Sequence, residues 1–201
     1  MDRNHPTGHL MTLDEYLAFE ERSVIKHEYV GGEVYAMSGV TTRHNLITLN
    51  IVRHLWPLGR ARGCQVFATE VKLHVSDRIY YPDVMVACGA AAAVELIVEA
   101  PSVIVEVTSP STRATDRREK LEAYRGIAGL DTYLIVDQRR RHVIAYARRG
   151  AEWSRAEYLA DDVVPLPALD ATLALDDVYE GVELPPLAVG EDEWDEGWEA
   201  E

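Results

Sequence analysis

The sequence lacks the features that define several large classes of protein. It has only two cysteines in 201 residues, in an arrangement that fits no zinc motif. Both Cys64 and Cys88 lie in or beside apolar segments, so we interpret them as small buried hydrophobic side chains. No apolar run approaches the roughly 20 residues of a membrane-spanning helix, and the start, MDRNHPTGHLM, has no hydrophobic stretch typical of a signal peptide. We therefore expect a protein of the reducing cytoplasm with no membrane partner.

Common catalytic motifs are also missing. The chain has no glycine-rich phosphate loop ahead of a helix, no G-x-S-x-G and no zinc signature. Ser109 and Ser111 have no histidine close by in sequence, although a fold could still bring one near. The sequence thus gives no support for P-loop, serine-hydrolase or zinc-dependent chemistry.

Positive charge is scarce and unevenly distributed. The net charge of −14 by itself argues against a nucleic-acid partner. Residues 190–201 hold seven acids and no base, however, and residues 113–155 hold 11 basic and 6 acidic side chains. That basic stretch either faces a polyanion or forms a solvated surface, and both interpretations remain open.

The chain divides into an N-terminal extension at 1–10, a single domain at 11–189 and an acidic tail at 190–201. A domain of this size can bury a substantial core. Dense like charge opposes compaction, so we expect a disordered tail that the fold does not need.

Periodic patterns predict the order helix, hairpin, helix, strands, helix, strands. The first helix begins at Thr12, which forms a capping-box pattern with Glu15. A hairpin turns at residues 31–32. A second helix can be capped by Thr41 or Thr42 and ends at Pro57 with Gly59. A third helix is predicted within residues 111–127. This order favours one α/β or α+β domain, with a single mixed sheet flanked by helices.

Two strand-like segments each carry a carboxylate among apolar residues: Asp83 in YYPDVMVAC and Glu106 in SVIVEVTS. Side chains alternate along a strand, so Glu106 shares a face with Ile104 and Thr108. Burying an unpaired carboxylate is costly, and each acid therefore needs a partner. If the strands are neighbours, a suitable register brings both acids together. Mg²⁺, which prefers oxygen ligands, would fit between them.

Further residues follow in a recognisable order. They are Tyr16, Glu28, Gly32-Glu33-Val34, His44, Tyr81 to Val84, Glu106 to Thr112, and Asp116, Lys120 and Tyr124. This ordered set, between about Leu10 and Asp137, resembles the PD-(D/E)XK nuclease superfamily and, more narrowly, the Uma-two family of restriction endonucleases. The resemblance implies a restriction-endonuclease-like core that hydrolyses nucleic acid, preferentially DNA, with Mg²⁺ or Mn²⁺. It also implies a homodimer, since small nucleases of this superfamily often pair to cut two strands.

The resemblance also implies roles for individual residues. Asp83 and Glu106 would bind the metal, Lys120 and His44 would complete the catalytic set, and Glu28, Asp116 and Tyr124 would be accessory. The superfamily pattern has a lysine two residues after the glutamate, but Thr108 stands there. The Uma-two family shares this departure, and its lysine lies on the following helix, as Lys120 does here. A literal E-x-K, Glu70 to Lys72, precedes the PD strand and is interpreted as a surface pair.

Each candidate also has a purely structural interpretation. Asp83 could accept backbone hydrogen bonds, Glu106 could pair with Arg117 or Arg118, Lys120 could pair with Asp116, and His44 could bond a neighbour at its helix start. For the whole protein, the alternative is a catalytically inactive nuclease-fold module that binds nucleic acid or a protein partner. A third interpretation is an interaction protein whose acids are incidental.

Overall fold

The computed structural model describes residues 10–89, 97–108 and 119–186. In chain order the elements are α1 (Leu13–Glu20), β1 (His27–Val30), β2 (Glu33–Ala36), α2 (Thr42–Ala61), β3 (Cys64–Ala68), β4 (Lys72–Val75), β5 (Arg78–Tyr80), β6 (Val84–Cys88), β7 (Ile97–Val98), β8 (Val103–Thr108), α3 (Leu121–Arg125), β9 (Thr132–Asp137), β10 (His142–Arg149), β11 (Glu152–Leu159), β12 (Val163–Leu166), β13 (Ala171–Ala174) and α4 (Leu175–Val178). The predicted acidic tail lies outside the described residues. No helix in the described ranges is long and apolar enough to cross a membrane.

Within the described ranges the strands form two larger mixed sheets and one hairpin, rather than the single mixed sheet expected. The six-stranded sheet has the order β11-β10-β9-β8-β6-β3, in which β8 and β9 are parallel. The five-stranded sheet has the order β2-β1-β5-β4-β7. The chain crosses from one sheet to the other at residues 81–83, where Pro82 has no N–H for a strand ladder. The mixed α+β class with flanking helices is confirmed.

Helices cover both faces of the six-stranded sheet. Val103, Val105 and Val107 of β8 join a buried core with Ile47 and Ile51 of α2. On the opposite face, Ile104 joins Leu121 and Tyr124 of α3 in a second core. The alternation predicted for β8 is therefore confirmed, and it directs Glu106 toward the α3 side.

The first two helices begin where the sequence predicts. Thr12 Oγ1 accepts the Glu15 N–H, and Glu15 in turn accepts the Thr12 N–H, which completes the capping box. The predicted end of α2 at Pro57 and Gly59 is wrong, because the helix continues through both residues to Ala61. Tertiary packing offsets the lost hydrogen bond. Gly59 lies so close to β3 that an added Cβ would come within 2.9 Å of Val66 Cγ2.

The two cysteines form a disulfide, which corrects their interpretation as separate hydrophobic side chains. Cys64 and Cys88 are directly opposed on the antiparallel pair β3 and β6, with Cα atoms 4.1 Å apart. This register brings the sulfurs together, and sequence alone does not reveal it. Because disulfides are rare in the reducing cytoplasm, the cytoplasmic location stays a prediction.

Candidate functional site

Acidic and basic side chains meet where the two larger sheets join. Glu28 comes from β1, His44 from the first turn of α2, and Asp83 from the crossing between β5 and β6. Glu106 comes from β8, and Lys120 immediately precedes α3. Glu28, Glu106 and Lys120 are each 6% exposed. The fold therefore brings five of the predicted site residues to this junction as one cluster with two contacting groups: Glu28, Glu106 and Lys120 in the first, and His44 and Asp83 in the second.

Asp83 is held against the strand that carries Glu106. Val84 pairs with Val105, and extending this antiparallel register by one residue places Asp83 opposite Glu106. Asp83 Oδ2 accepts the Val107 N–H at 2.7 Å and lies 3.2 Å from His44 Nε2. The backbone interpretation of Asp83 is thus realised, since its carboxylate accepts a main-chain N–H from the strand that carries Glu106. A cation shared by the two acids stays a prediction.

Glu106 and Lys120 form the centre of the cluster. Glu106 Oε1 accepts from Lys120 Nζ at 3.1 Å and from the Tyr124 hydroxyl at 2.8 Å. Lys120 and Tyr124 are four residues apart, so they project from the same side of the chain as it enters α3. Lys120 Nζ also lies 3.0 Å from Glu28 Oε1. This ammonium links the five-stranded sheet to the six-stranded sheet.

The protonation state of Tyr124 suits its contact with Glu106. Burial raises the pKa of the Tyr124 hydroxyl well above its usual value, and the negative charge of Glu106 raises it further. The hydroxyl therefore stays protonated at neutral pH and donates to the carboxylate.

The donor set fits a hard divalent cation. Asp83, Glu28 and Glu106 against one ammonium leave this described cluster with a formal charge of −2 when His44 is neutral. Among the described residues, no three His, Cys, Asp or Glu side chains are grouped to hold a metal alone. Mg²⁺ commonly binds through one or two carboxylates and completes its shell with water and substrate oxygens. Asp83 and Glu106 can supply that pair.

His44 carries a second ring nitrogen, Nδ1, besides the Nε2 that faces Asp83. Its Nδ1 is buried and has no partner within the described ranges. A buried unsatisfied nitrogen costs on the order of 1–3 kcal/mol. Because buried polar atoms usually have a hydrogen-bond partner, we expect a water molecule or a substrate group beside His44 Nδ1.

Two predicted pairings are not tested. Asp116, Arg117 and Arg118 lie outside the described residues. The accessory role of Asp116 and the structural pairings proposed for Lys120 and Glu106 therefore stay predictions.

The predicted Glu70–Lys72 surface pair is wrong. Glu70 lies in the turn after β3 and pairs instead with Lys26 at 3.0 Å. Lys72 begins β4, and its Nζ lies 5.6 Å from the centre of the Tyr81 ring. In a continuous strand, Glu70 and Lys72 would lie on the same face and could pair. Positive φ values at Thr69 and Glu70 instead turn the chain before Lys72.

Several residues that support the site were not predicted from the sequence. Tyr80 lies under the Lys120 ammonium, 5.5 Å from ring centre to Nζ. Thr41 Oγ1 donates to Gln138 Oε1 at 2.6 Å and so ties the start of α2 to the end of β9. Of these residues, Gln138 has a signal in the sequence, because it directly follows the apolar strand β9. That strand runs parallel to β8. Arg140, within the basic stretch 113–155, also contacts a buried acid, since its Nε lies 3.1 Å from Asp137 Oδ2.

Comparison with known proteins places this geometry in a family. Residues 13–177 match the model of the Uma2 family, described as "Putative restriction endonuclease". The chain belongs to the Uma2 family. Similar proteins from Synechocystis sp. (strain ATCC 27184 / PCC 6803 / Kazusa) include Uncharacterized protein slr1290, 30% identical over 86% of this chain and 93% of its own length. Another is Uncharacterized protein sll1609, 32% identical over 78% of this chain and 92% of its own length.

A solved structure gives the same fold assignment for this Uma2 chain. The crystal structure of a "putative nuclease belonging to DUF820" from Anabaena variabilis ATCC 29413 superposes with a TM-score of 0.70. The match covers 84% of this chain and 97% of that one, at 20% sequence identity. The predicted family and the nuclease-like fold are therefore confirmed.

Proposed function

We propose that this Uma2 protein is a metal-dependent endonuclease that hydrolyses phosphodiester bonds, in DNA rather than RNA. The observation that carries the proposal is the convergence of Asp83, Glu106 and Lys120 at the junction of the two sheets. Mg²⁺ is the proposed cofactor, with Mn²⁺ as a substitute, because the candidate ligands are carboxylate oxygens.

Some of these side chains would bind the ion, and others would orient the ligands or assist the reaction. A Mg²⁺ ion bound by Asp83 and Glu106 would polarise the scissile phosphate and lower the pKa of a bound water. The Val107 N–H and His44 orient Asp83, and Tyr124 orients Glu106. The Lys120 ammonium is a compact donor that orients the attacking water or offsets charge that develops on the phosphate.

The alternative is an inactive nuclease-fold module that binds nucleic acid or a protein partner. The threonine at position 108, where the superfamily pattern has lysine, favours this alternative. The contact between Lys120 and Glu106 favours the enzyme, because an ammonium reaches the same acid from the helix side.

A cleavage assay with purified protein distinguishes the two. Supercoiled plasmid, single-stranded DNA and RNA are each incubated with Mg²⁺, Mn²⁺ or a chelator, at low and high salt. We expect cleavage of DNA only with metal, and weaker binding at high salt because phosphate contacts release counterions. Metal binding by calorimetry without cleavage of any substrate would instead support the inactive module.

The same assay tests the proposed homodimer. Two paired sites should convert plasmid to linear product in one binding event, and light scattering should give the mass of two chains. Nicked product alone, from a protein of monomer mass, would contradict the dimer.

Removal of the acidic tail should raise affinity for DNA at low salt. Arg43, next to His44, donates to the Glu183 carbonyl at 2.8 Å, so the chain approaches the site near its end. Residues 190–201 carry seven negative charges that repel phosphate. We expect truncation before Gly190 to leave the melting temperature nearly unchanged and to tighten DNA binding, as measured by fluorescence anisotropy.

A full-length variant shows whether the charge of the tail or its length lowers the affinity for DNA. Full-length protein with the seven tail acids changed to their amides should behave like the truncated protein. A large loss of stability on truncation would show instead that Trp194 or Trp198 docks on the core.

Tyr124→Phe should weaken metal binding without removing a ligand. The change deletes one donor to Glu106 Oε1, and hydrogen bonds that orient metal ligands contribute about 10–100-fold in affinity. Mn²⁺ titration calorimetry measures the effect. The control is Tyr179→Phe, a buried tyrosine whose hydroxyl bonds the main-chain carbonyls of Asp137 and His142. Equal Mn²⁺ affinity in both variants would contradict the role of Tyr124.

A further inference from the structure

A lysine occupies the space where a bound cation would balance two buried acids. Lys120 Nζ lies 3.0 Å from Glu28 Oε1 and 3.1 Å from Glu106 Oε1. Counted without their main-chain atoms, the three side chains are only 7–8% exposed, so water screens their charges poorly. Two close carboxylates disfavour each other's ionisation, and the ammonium between them relieves that repulsion.

We propose that Lys120 is the resident cation of this site: it competes with a divalent ion for Glu106 and transfers to Glu28 when the ion binds. The inference rests on the proposed function, which makes Glu106 a metal ligand. Glu28 is then a positioning residue that keeps the displaced ammonium next to the reaction centre.

The contacts of Glu106 make this competition direct. Glu106 Oε1 already accepts from an ammonium and a hydroxyl. A divalent ion on that carboxylate repels the ammonium but not the neutral Tyr124 hydroxyl, so Lys120 is the group that leaves. The lysine stem has four flexible carbons, and a small shift suffices to separate Nζ from Glu106.

Glu28 and Tyr80 keep the displaced lysine in place. Glu28 is already in contact with Nζ, so the ammonium keeps a buried carboxylate partner after it releases Glu106. The Tyr80 ring, 5.5 Å from Nζ, adds a cation–π attraction at the same location. Without Glu28, the ammonium loses a carboxylate that holds it away from Glu106, and its competition with the metal increases.

The test is Mn²⁺ titration calorimetry on the full-length protein and three variants. Lys120→Met keeps the stem and removes the competing charge, so Mn²⁺ should bind about tenfold tighter or more, the worth of one charge-assisted hydrogen bond. Glu28→Gln removes the carboxylate that holds the displaced Lys120 ammonium, so Mn²⁺ should bind about tenfold more weakly. The double variant Glu28→Gln/Lys120→Met leaves the net charge of the cluster unchanged and should still bind Mn²⁺ more tightly than the wild type.

The double variant also protects the test from misfolding. Lys120→Met leaves two buried acids without their ammonium, and circular dichroism melting shows whether it folds. If it does not, the charge-balanced double variant decides the question. The proposal is overturned if a folded variant without Lys120 binds Mn²⁺ no more tightly than the wild type, or if Glu28→Gln binds it equally well.

Failure of the proposed function gives a different result. Wild type and Glu106→Gln would then bind Mn²⁺ identically, because the ion would not be at Glu106. Loss of Mn²⁺ binding in Glu106→Gln together with unchanged binding in Lys120→Met would leave the metal site standing and reject only the competition.

Discussion

Glu106→Gln should abolish metal-dependent cleavage and leave the fold intact. Glutamine keeps the shape of the side chain and can still accept from Tyr124, but it removes the charge that holds a divalent ion. It also removes the charge that Lys120 contacts at 3.1 Å. We expect turnover to fall by several orders of magnitude, with Mn²⁺ affinity lost in calorimetry and the circular dichroism spectrum unchanged.

Glu20→Gln is the matched control for this experiment. Glu20 is also a buried glutamate, 8% exposed, and it accepts from the Tyr81 hydroxyl at 2.9 Å and lies 3.0 Å from His27 Nδ1. Its environment therefore resembles that of Glu106, whereas it ends α1 and contacts Tyr81 and His27 rather than the proposed metal ligands. If Glu20→Gln loses as much activity as Glu106→Gln at equal stability, the loss does not report on metal binding.

Local patterns predicted much of what surrounds Glu106. The alternation of VIVEVT sends three valines to one core and Ile104 to the other, and this alone determines the face of the acid. The capping box at Thr12 and the N-cap at Thr41 are likewise encoded within a few residues. These features depend on neighbours in sequence, so a single chain reveals them.

The remaining features depend on how distant segments pair. Glu28 lies on the five-stranded sheet and Lys120 precedes α3, which packs on the six-stranded sheet, and the two residues are 92 positions apart in sequence. Their contact follows from how these distant segments pack together. The Cys64–Cys88 bond requires the register of β3 against β6. The continuation of α2 past Pro57 depends on its burial against β3. None of these leaves a periodic signal.

The order of motifs predicted a contact that spacing alone did not. Lys120 is 14 residues after Glu106, and its helical spacing from Asp116 was equally compatible with an exposed pair. The family resemblance directed it to the site, and the contact with Glu106 agrees with that choice. Lys72, the lysine in the literal E-x-K, instead faces Tyr81.

Lys120→Ala should lower turnover by about 10²–10³-fold, the effect of removing one positioned donor from a transition state. The fold should be retained, and Mn²⁺ should bind more tightly than in the wild type, since Asp83 and Glu106 remain and the competing ammonium is removed. Lys120 is suited to this role because its Nζ is already beside Glu106, where an attacking water or phosphate oxygen would be within reach.

Lys72→Ala is the matched lysine control and should change turnover only slightly. Its ammonium contacts the Tyr81 ring on the approach to Asp83, and the change removes that contact without touching the acids. Single-turnover cleavage under saturating Mg²⁺ measures both variants without a contribution from product release. The reverse ranking, with Lys72→Ala more damaging than Lys120→Ala, would assign the catalytic ammonium to β4 and overturn the proposed role of α3.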